Sequence, residues 1–135
     1  PILFGTDYEH RVVNPFPVMG ATVAGTWPRG FPLSLVKSPE TEGRVGEQSG
    51  VQLSDIGIIQ SVCDKDPDVD AVYRLTRPLP FEFGVAEDSH PLVIPGSLYT
   101  PYNAQATLHY PGAYWGAYLP FTVTGRVSDI WRSYI

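Results

Sequence analysis

The segment Gly125-Arg126-Val127-Ser128-Asp129-Ile130-Trp131 sets a carboxylate at the start of an expected helix, beside an aromatic and one helical turn from Arg126 and Arg132. Backbone N–H groups and the helix dipole hold a carboxylate there ionised and fixed, which suits a general base or a group that orients a hydroxyl. The same residues also suit an ordinary N-cap with a local ion pair. Arg29 lies between Pro28 and Gly30 in Trp27-Pro28-Arg29-Gly30-Phe31-Pro32-Leu33, a stretch stiffened by proline. A guanidinium in rigid surroundings loses little entropy when it grips a phosphate, and it can equally satisfy loop carbonyls or stack on Trp27. Tyr99-Thr100-Pro101-Tyr102-Asn103-Ala104-Gln105 offers hydroxyls and amides among aromatic faces. Such a kit holds sugars by stacking and hydrogen bonds, or caps turns and fills a core.

Other chemistry is less well supported. Asp64, Asp66, Asp68 and Asp70 alternate like the oxygen donors of a calcium loop, but the sixth and twelfth places of that pattern hold Val69 and Leu75 instead of Gly and Glu. A solvated turn around Pro67, with Asp capping backbone donors, is the favoured reading. His10, His90 and His109 have no metal-ligand spacing. There is no Ser-His-Asp order, no Walker loop and no Gly-rich dinucleotide fingerprint.

The elements that must position these groups are short. The chain of 135 residues holds 14 Pro and 13 Gly, against the roughly 12% that average usage gives, so long helices are not expected. Residues 1–33 alternate apolar pieces with proline and read as ordered irregular chain whose aromatics pack inward. The stretch 38–50, free of aromatics and rich in Glu, Gly, Ser and Thr, reads as a flexible solvated loop. Strands are expected at Gly57–Val62, Pro91–Ile94 and Gln105–Tyr110. A helix is expected from Pro111, with Tyr114, Trp115, Tyr118 and Leu119 as its apolar face, and another near Gly125–Asp129, capped by Ser128 or Asp129.

Composition narrows the partners. The chain is 43% hydrophobic and 13% aromatic, which excludes a disordered segment. A net charge of -5 argues against nucleic acid and against a polybasic membrane patch. Cys63 is the one cysteine, so no internal disulfide can form, and no apolar run approaches the ~18 residues of a membrane span. The start at Pro1 and the end inside Trp131-Arg132-Ser133-Tyr134-Ile135 read as a single-domain fragment, 1–135, of a longer chain, with any anchor elsewhere.

Four blocks, Trp27 to Leu33, Asp66 to Thr76, Tyr102 to Thr107 and Gly125 to Arg132, together resemble the STELLO-type glycosyltransferases, a family that includes Golgi proteins of plants linked to cellulose synthesis. A fainter similarity reaches the UDP-arabinopyranose mutases, or reversibly glycosylated polypeptides, through Arg29-Gly30-Phe31-Pro32-Leu33-Ser34 and Arg126-Val127-Ser128-Asp129-Ile130-Trp131. Val18 to Ala24 lacks the arginine on which the mutases depend, so mutase activity is not implied.

The resemblance implies an α/β fold, the C-terminal, acceptor-side half of a GT-A-like domain with short strands and helices and many Pro/Gly loops. It implies a nucleotide-sugar donor, a glycan or glycoprotein acceptor, and a place in the Golgi or secretory pathway. A divalent cation, Mn or Mg, would be bound by a motif outside this chain. By the same resemblance Asp129 takes the position of the acidic residue that deprotonates or orients the acceptor hydroxyl. Arg29 would meet donor phosphate or sugar, with Arg126 also binding substrate. Asn103 and Gln105 would hold sugar hydroxyls, and Tyr102 and Trp115 would form stacking walls. The alternatives are a catalytically inactive scaffold of the same fold that assists a polysaccharide-making complex, or a glycan-binding module.

Overall fold

The computed structural model describes residues 2–4, 11–46, 50–63, 65, 67–84, 91–118 and 120–133. Short strands and helices are mixed along the chain, as the breaker content requires. Strand β1 (Ile2–Phe4) pairs antiparallel with β2 (Arg44–Gly46), and β3 (Ile58–Gln60) pairs antiparallel with β4 (Thr107–His109) in the register Ile58–His109, Ile59–Leu108, Gln60–Thr107. Helix α1 spans Ala71–Thr76 and helix α2 spans Ser128–Arg132.

Local chemistry explains these boundaries. The Asp70 carboxylate accepts from the N–H of Val72 at 2.8 Å and starts α1, and Arg77 with Pro78 behind it ends the helix. Asp70, the last member of the acidic run, is therefore a helix cap. Asp64 and Asp66 lie outside the described residues.

Aromatic side chains from the proline-broken stretches make the core. Phe16, Trp27, Phe31, Tyr73 and Phe81 are buried with Val12 and Val69. Trp27 meets Tyr73 edge-on at 5.3 Å, and Phe81 meets Phe16 at 6.1 Å, Tyr73 at 5.8 Å and Phe83 at 5.2 Å between ring centroids. The proline-rich start of the chain is an irregular layer tied down by single bridges, Pro28 to Val69 and Ala21 to Phe83 among them. Asn14 serves it from within, donating from its side chain to the Thr26 carbonyl at 2.6 Å and accepting from the N–H of Phe16 at 3.2 Å.

Several expectations change. Pro91–Ile94 holds no strand; prolines at positions 91 and 95 remove a ladder donor at each end of a four-residue piece. Within 38–50 the chain forms a 3-10 turn at Pro39–Thr41 and then β2, and Thr41 is buried with its hydroxyl satisfied by the Ser38 carbonyl, to which it donates at 2.8 Å. The helix expected from Pro111 is two 3-10 pieces spanning Pro111–Ala117, kinked at Ala113. Tyr114, Trp115 and Tyr118 are exposed, and Leu119 lies outside the described residues. Helix α2 has Val127 at its cap position; Ser128 donates to the Gly125 carbonyl at 3.0 Å from inside the first turn, so neither expected cap acts as one.

Candidate functional site

Arg29 and Asp129, a hundred residues apart in sequence, meet through two hydrogen bonds. Arg29 Nη2 donates to Asp129 Oδ2 at 2.5 Å and Nη1 to Oδ1 at 3.3 Å. The same guanidinium donates from Nε to Asp68 Oδ2 at 2.7 Å and from Nη1 to the Arg126 carbonyl at 2.8 Å. A planar fork of five donors can satisfy three residues on two segments at once, which a lysine ammonium cannot do in one plane. The backbone fixes the root of the side chain: the Arg29 N–H donates to the Asp68 carbonyl at 3.1 Å, beside the Pro28–Val69 bridge.

Gly30 lets α2 come this close. Its φ is +88°, and a Cβ there would stand 2.6 and 2.8 Å from the Ile130 side chain and 3.3 Å from Pro101. A side chain would push Ile130, and with it Asp129, away from Arg29.

Asn103 completes the arrangement from a third direction. Its side-chain amide donates to Asp68 Oδ2 at 2.9 Å and its oxygen accepts from the N–H of Gln105 at 2.9 Å, closing an Asx turn. Gln60 on β3 holds this turn, accepting from the Asn103 N–H at 3.2 Å and from the Thr107 hydroxyl at 2.8 Å while donating to the Gln105 carbonyl at 2.7 Å. The β3–β4 ladder thus sets the turn's height above Arg29.

Asp129 is saturated. Its Oδ2 also accepts from the Ala104 N–H at 3.3 Å and its Oδ1 from the Ile130 N–H at 3.0 Å, so four donors meet the roughly four lone-pair sites of the carboxylate. Burial by itself pushes this carboxyl up, but the Arg29 hydrogen bonds, the two backbone N–H groups and the guanidinium charge outweigh it and hold the group below its ordinary value. For Arg29 burial works downward, and the hydrogen bonds and charges of Asp129 and Asp68 win, raising it.

A pH dependence follows. A carboxylate held below its unfolded pKa of about 3.9 contributes stability that is complete above that value and is lost as pH falls through the lower folded one. Urea midpoints should therefore fall more steeply below about pH 4 in the wild-type chain than in Asp129→Asn. Arg29→Ala leaves two acidic groups facing each other without their cation. Between the 0–1 kcal/mol of exposed pairs and the 3–5 kcal/mol of broken buried pairs, a loss of about 2–3 kcal/mol in denaturant unfolding is expected.

Arg29, Asp68, Arg74, Asn103, Gln105 and Asp129 line one open pocket of about 350 Å³. Four expected site residues, Arg29, Asn103, Gln105 and Asp129, are thus brought together. Two others are not: Arg126 contributes its carbonyl to Arg29 while its side chain is exposed, and Trp115 is 82% exposed and lines neither this pocket nor its smaller neighbour. Tyr102 lines a neighbouring, smaller pocket, its hydroxyl donating to the Gly116 carbonyl at 3.1 Å and raised above its ordinary pKa by burial against the opposing charge of Arg132. Asp68, Gln60 and Arg74 were missed as site residues. Asp68 stood in the acidic run, whose metal-like spacing drew attention away from an arginine partner. Among the described residues no three His, Cys, Asp or Glu side chains converge to hold a metal ion.

The fold and site define a small mixed helix–strand unit whose polar pocket is organised around an arginine clamped by two aspartates. Its relatives are STELLO-type: over 99% of its length the chain is 36% identical to "Probable glycosyltransferase STELLO2" and 34% identical to "Probable glycosyltransferase STELLO1", both of Arabidopsis thaliana. The chain is related to the STELLO-type family along its whole length, and it spans 18% and 17% of the length of these two proteins. No family model matches the chain, and no solved structure matches it. No helix among the described residues is long and apolar enough to cross a membrane.

Proposed function

We propose that the chain is the acceptor-side part of a nucleotide-sugar-dependent glycosyltransferase with a GT-A-like fold, working in the Golgi or secretory pathway. The observation that carries this reading is the convergence of Arg29, Asn103, Gln105 and Asp129, from three segments, on one open polar pocket in a chain whose relatives bear glycosyltransferase names. Asn103 and Gln105 offer amides to sugar hydroxyls, and Arg29 offers its guanidinium to donor phosphate or sugar.

Asp129 needs a vacancy before it can serve a substrate hydroxyl. All its lone-pair sites are taken, and the longest bonds, from Arg29 Nη1 and the Ala104 N–H, are both 3.3 Å. A donor phosphate that draws Arg29 toward itself opens one oxygen of Asp129 for the acceptor hydroxyl. The carboxylate then orients that hydroxyl and takes its proton as the glycosidic bond forms and the donor's anomeric carbon–oxygen bond breaks, releasing nucleoside diphosphate. The divalent cation belongs, in this reading, to residues outside this chain, and no step here passes through it.

The test is release of nucleoside diphosphate from a panel of UDP- and GDP-sugars by a full-length polypeptide carrying this segment, with Arg29→Ala as the comparison. Loss of a charge-assisted bond to phosphate should raise KM for the donor about tenfold to a hundredfold, at a temperature where circular dichroism shows the variant folded. Unchanged KM would remove Arg29 from donor binding. A second reading, a glycan-binding or scaffold segment without catalysis, draws on the exposed rings of Tyr114, Trp115, Tyr118 and Phe121. It predicts no release from any sugar nucleotide.

A further inference from the structure

Behind the polar pocket lies a second one, of about 140 Å³, and the two share Asp68, Asn103 and Gln105 as a common wall. Away from that wall the second pocket is lined by apolar groups, Phe16, Met19, Leu92, Ile94 and Pro101 among them, with the ring of Tyr102 at one side. Apolar cavities of roughly 150 Å³ hold a single benzene-sized ring. A ligand whose hydroxyls sit against Asn103 and Gln105 therefore has, beside these same residues, room for one flat apolar group.

The polar complement of the pocket decides what kind of ring. Gln60 lines it, but its oxygen accepts from Asn103 and Thr107 and its amide donates to the Ser61 and Gln105 carbonyls. Asp68 Oδ2 already takes Arg29 and Asn103. The Thr100 hydroxyl is the pocket's buried side-chain oxygen with no partner among the described residues. Away from the residues shared with the polar pocket, the lining offers mostly aliphatic and aromatic carbon beside this buried hydroxyl, which suits an apolar ring such as a phenyl ether.

We propose that this second pocket is an aglycone subsite, and that the sugar ligand of the polar pocket is a glycoside carrying one aromatic ring next to its anomeric oxygen. The inference rests on the sugar-binding reading above and adds the chemical class of the group beside the sugar. Burial of the ring against aliphatic side chains gives the ligand most of its affinity, and the hydroxyls give it orientation.

Met19 makes the test direct, because it is the one methionine of the chain and lines this pocket. Phenyl β-glucoside and phenyl β-galactoside, the matching methyl glycosides, phenol and UMP are titrated against a full-length polypeptide carrying this segment and ¹³C-methyl methionine, the Met19 signal being identified by its loss in Met19→Leu. The expected result is a ring-current shift of the Met19 methyl signal with the phenyl glycosides and none with the methyl glycosides, and about tenfold or tighter binding of the phenyl compounds. Ile94→Asn should erase that advantage, and Leu75→Ser, 86% exposed on α1 and outside both pockets, should keep it. Equal affinity of phenyl and methyl glycosides, with the Met19 signal unmoved, would overturn the aglycone subsite and leave sugar binding standing. Absence of binding by every glycoside would overturn both. UMP shifting Met19 and outcompeting the phenyl glycosides would assign the pocket to a nucleobase and also overturn the proposal. The Met19 shift is read on the unsubstituted pocket, so the test holds even if Ile94→Asn does not fold.

Discussion

Asp129→Asn is expected to slow glycosyl transfer by a full-length polypeptide carrying this segment by about 10²- to 10⁴-fold, the range over which positioned acid–base groups act. The substitution removes one charge and keeps the shape. An amide in place of the carboxylate can still accept at one oxygen, but its nitrogen would face donors, Arg29 Nη2 and the Ala104 N–H in one orientation or Arg29 Nη1 and the Ile130 N–H in the other. The expected kinetic signature is a fall in kcat with a much smaller change in donor KM, since Arg29 retains Asp68 and the Arg126 carbonyl as partners. Initial rates against donor and acceptor concentration measure this. Wild-type kcat in Asp129→Asn would take Asp129 out of the chemistry and leave it as the anchor of Arg29.

The second large effect is on folding. Phe81 is 2% exposed and touches the rings of Phe16, Tyr73 and Phe83, so it joins the N-terminal irregular layer to α1. Phe81→Ala should cost about 3–5 kcal/mol, combining lost burial with a cavity the surrounding rings cannot close without leaving their edge-to-face geometry. Against a total of about 5–15 kcal/mol for an ordinary domain this is a large part of the stability. Guanidinium unfolding should show a lower midpoint with the slope unchanged. A change below about 1 kcal/mol would mean that these rings repack freely. Phe16 also lines the smaller pocket, so the loss of Phe81 should weaken ligands there even under conditions where the chain stays folded.

Parts of this were legible in the residues. Pro and Gly foretold short elements, and local cues placed β3, β4 and α2 to within a few residues. Arg29 and Asp129 stood out singly because each has a local reason to be rigid. That they grip each other across a hundred residues was not legible, since pairing at that distance depends on how the whole chain packs and on Gly30 permitting the approach. Asp68 was hidden by its neighbours: four alternating aspartates suggest a cation from solution, whereas the fold supplies a guanidinium from another segment. The face expected from Pro111 onward failed for a different reason. A periodic row of aromatics says which residues share a side, and only tertiary packing says whether that side is covered; here Trp115 points outward.

The three indoles divide in a useful way. Trp27 is 5% exposed, edge-on to Tyr73 and two residues ahead of Arg29, while Trp115 and Trp131 are 82% and 52% exposed. Intrinsic fluorescence therefore carries two populations. A blue component resists quenching by iodide and reports the interior beside the clamp, and a red one quenches readily and reports the surface. Loosening of the core beside the clamp can be followed as a red shift and a rise in iodide quenching of the Trp27 component, with no label added.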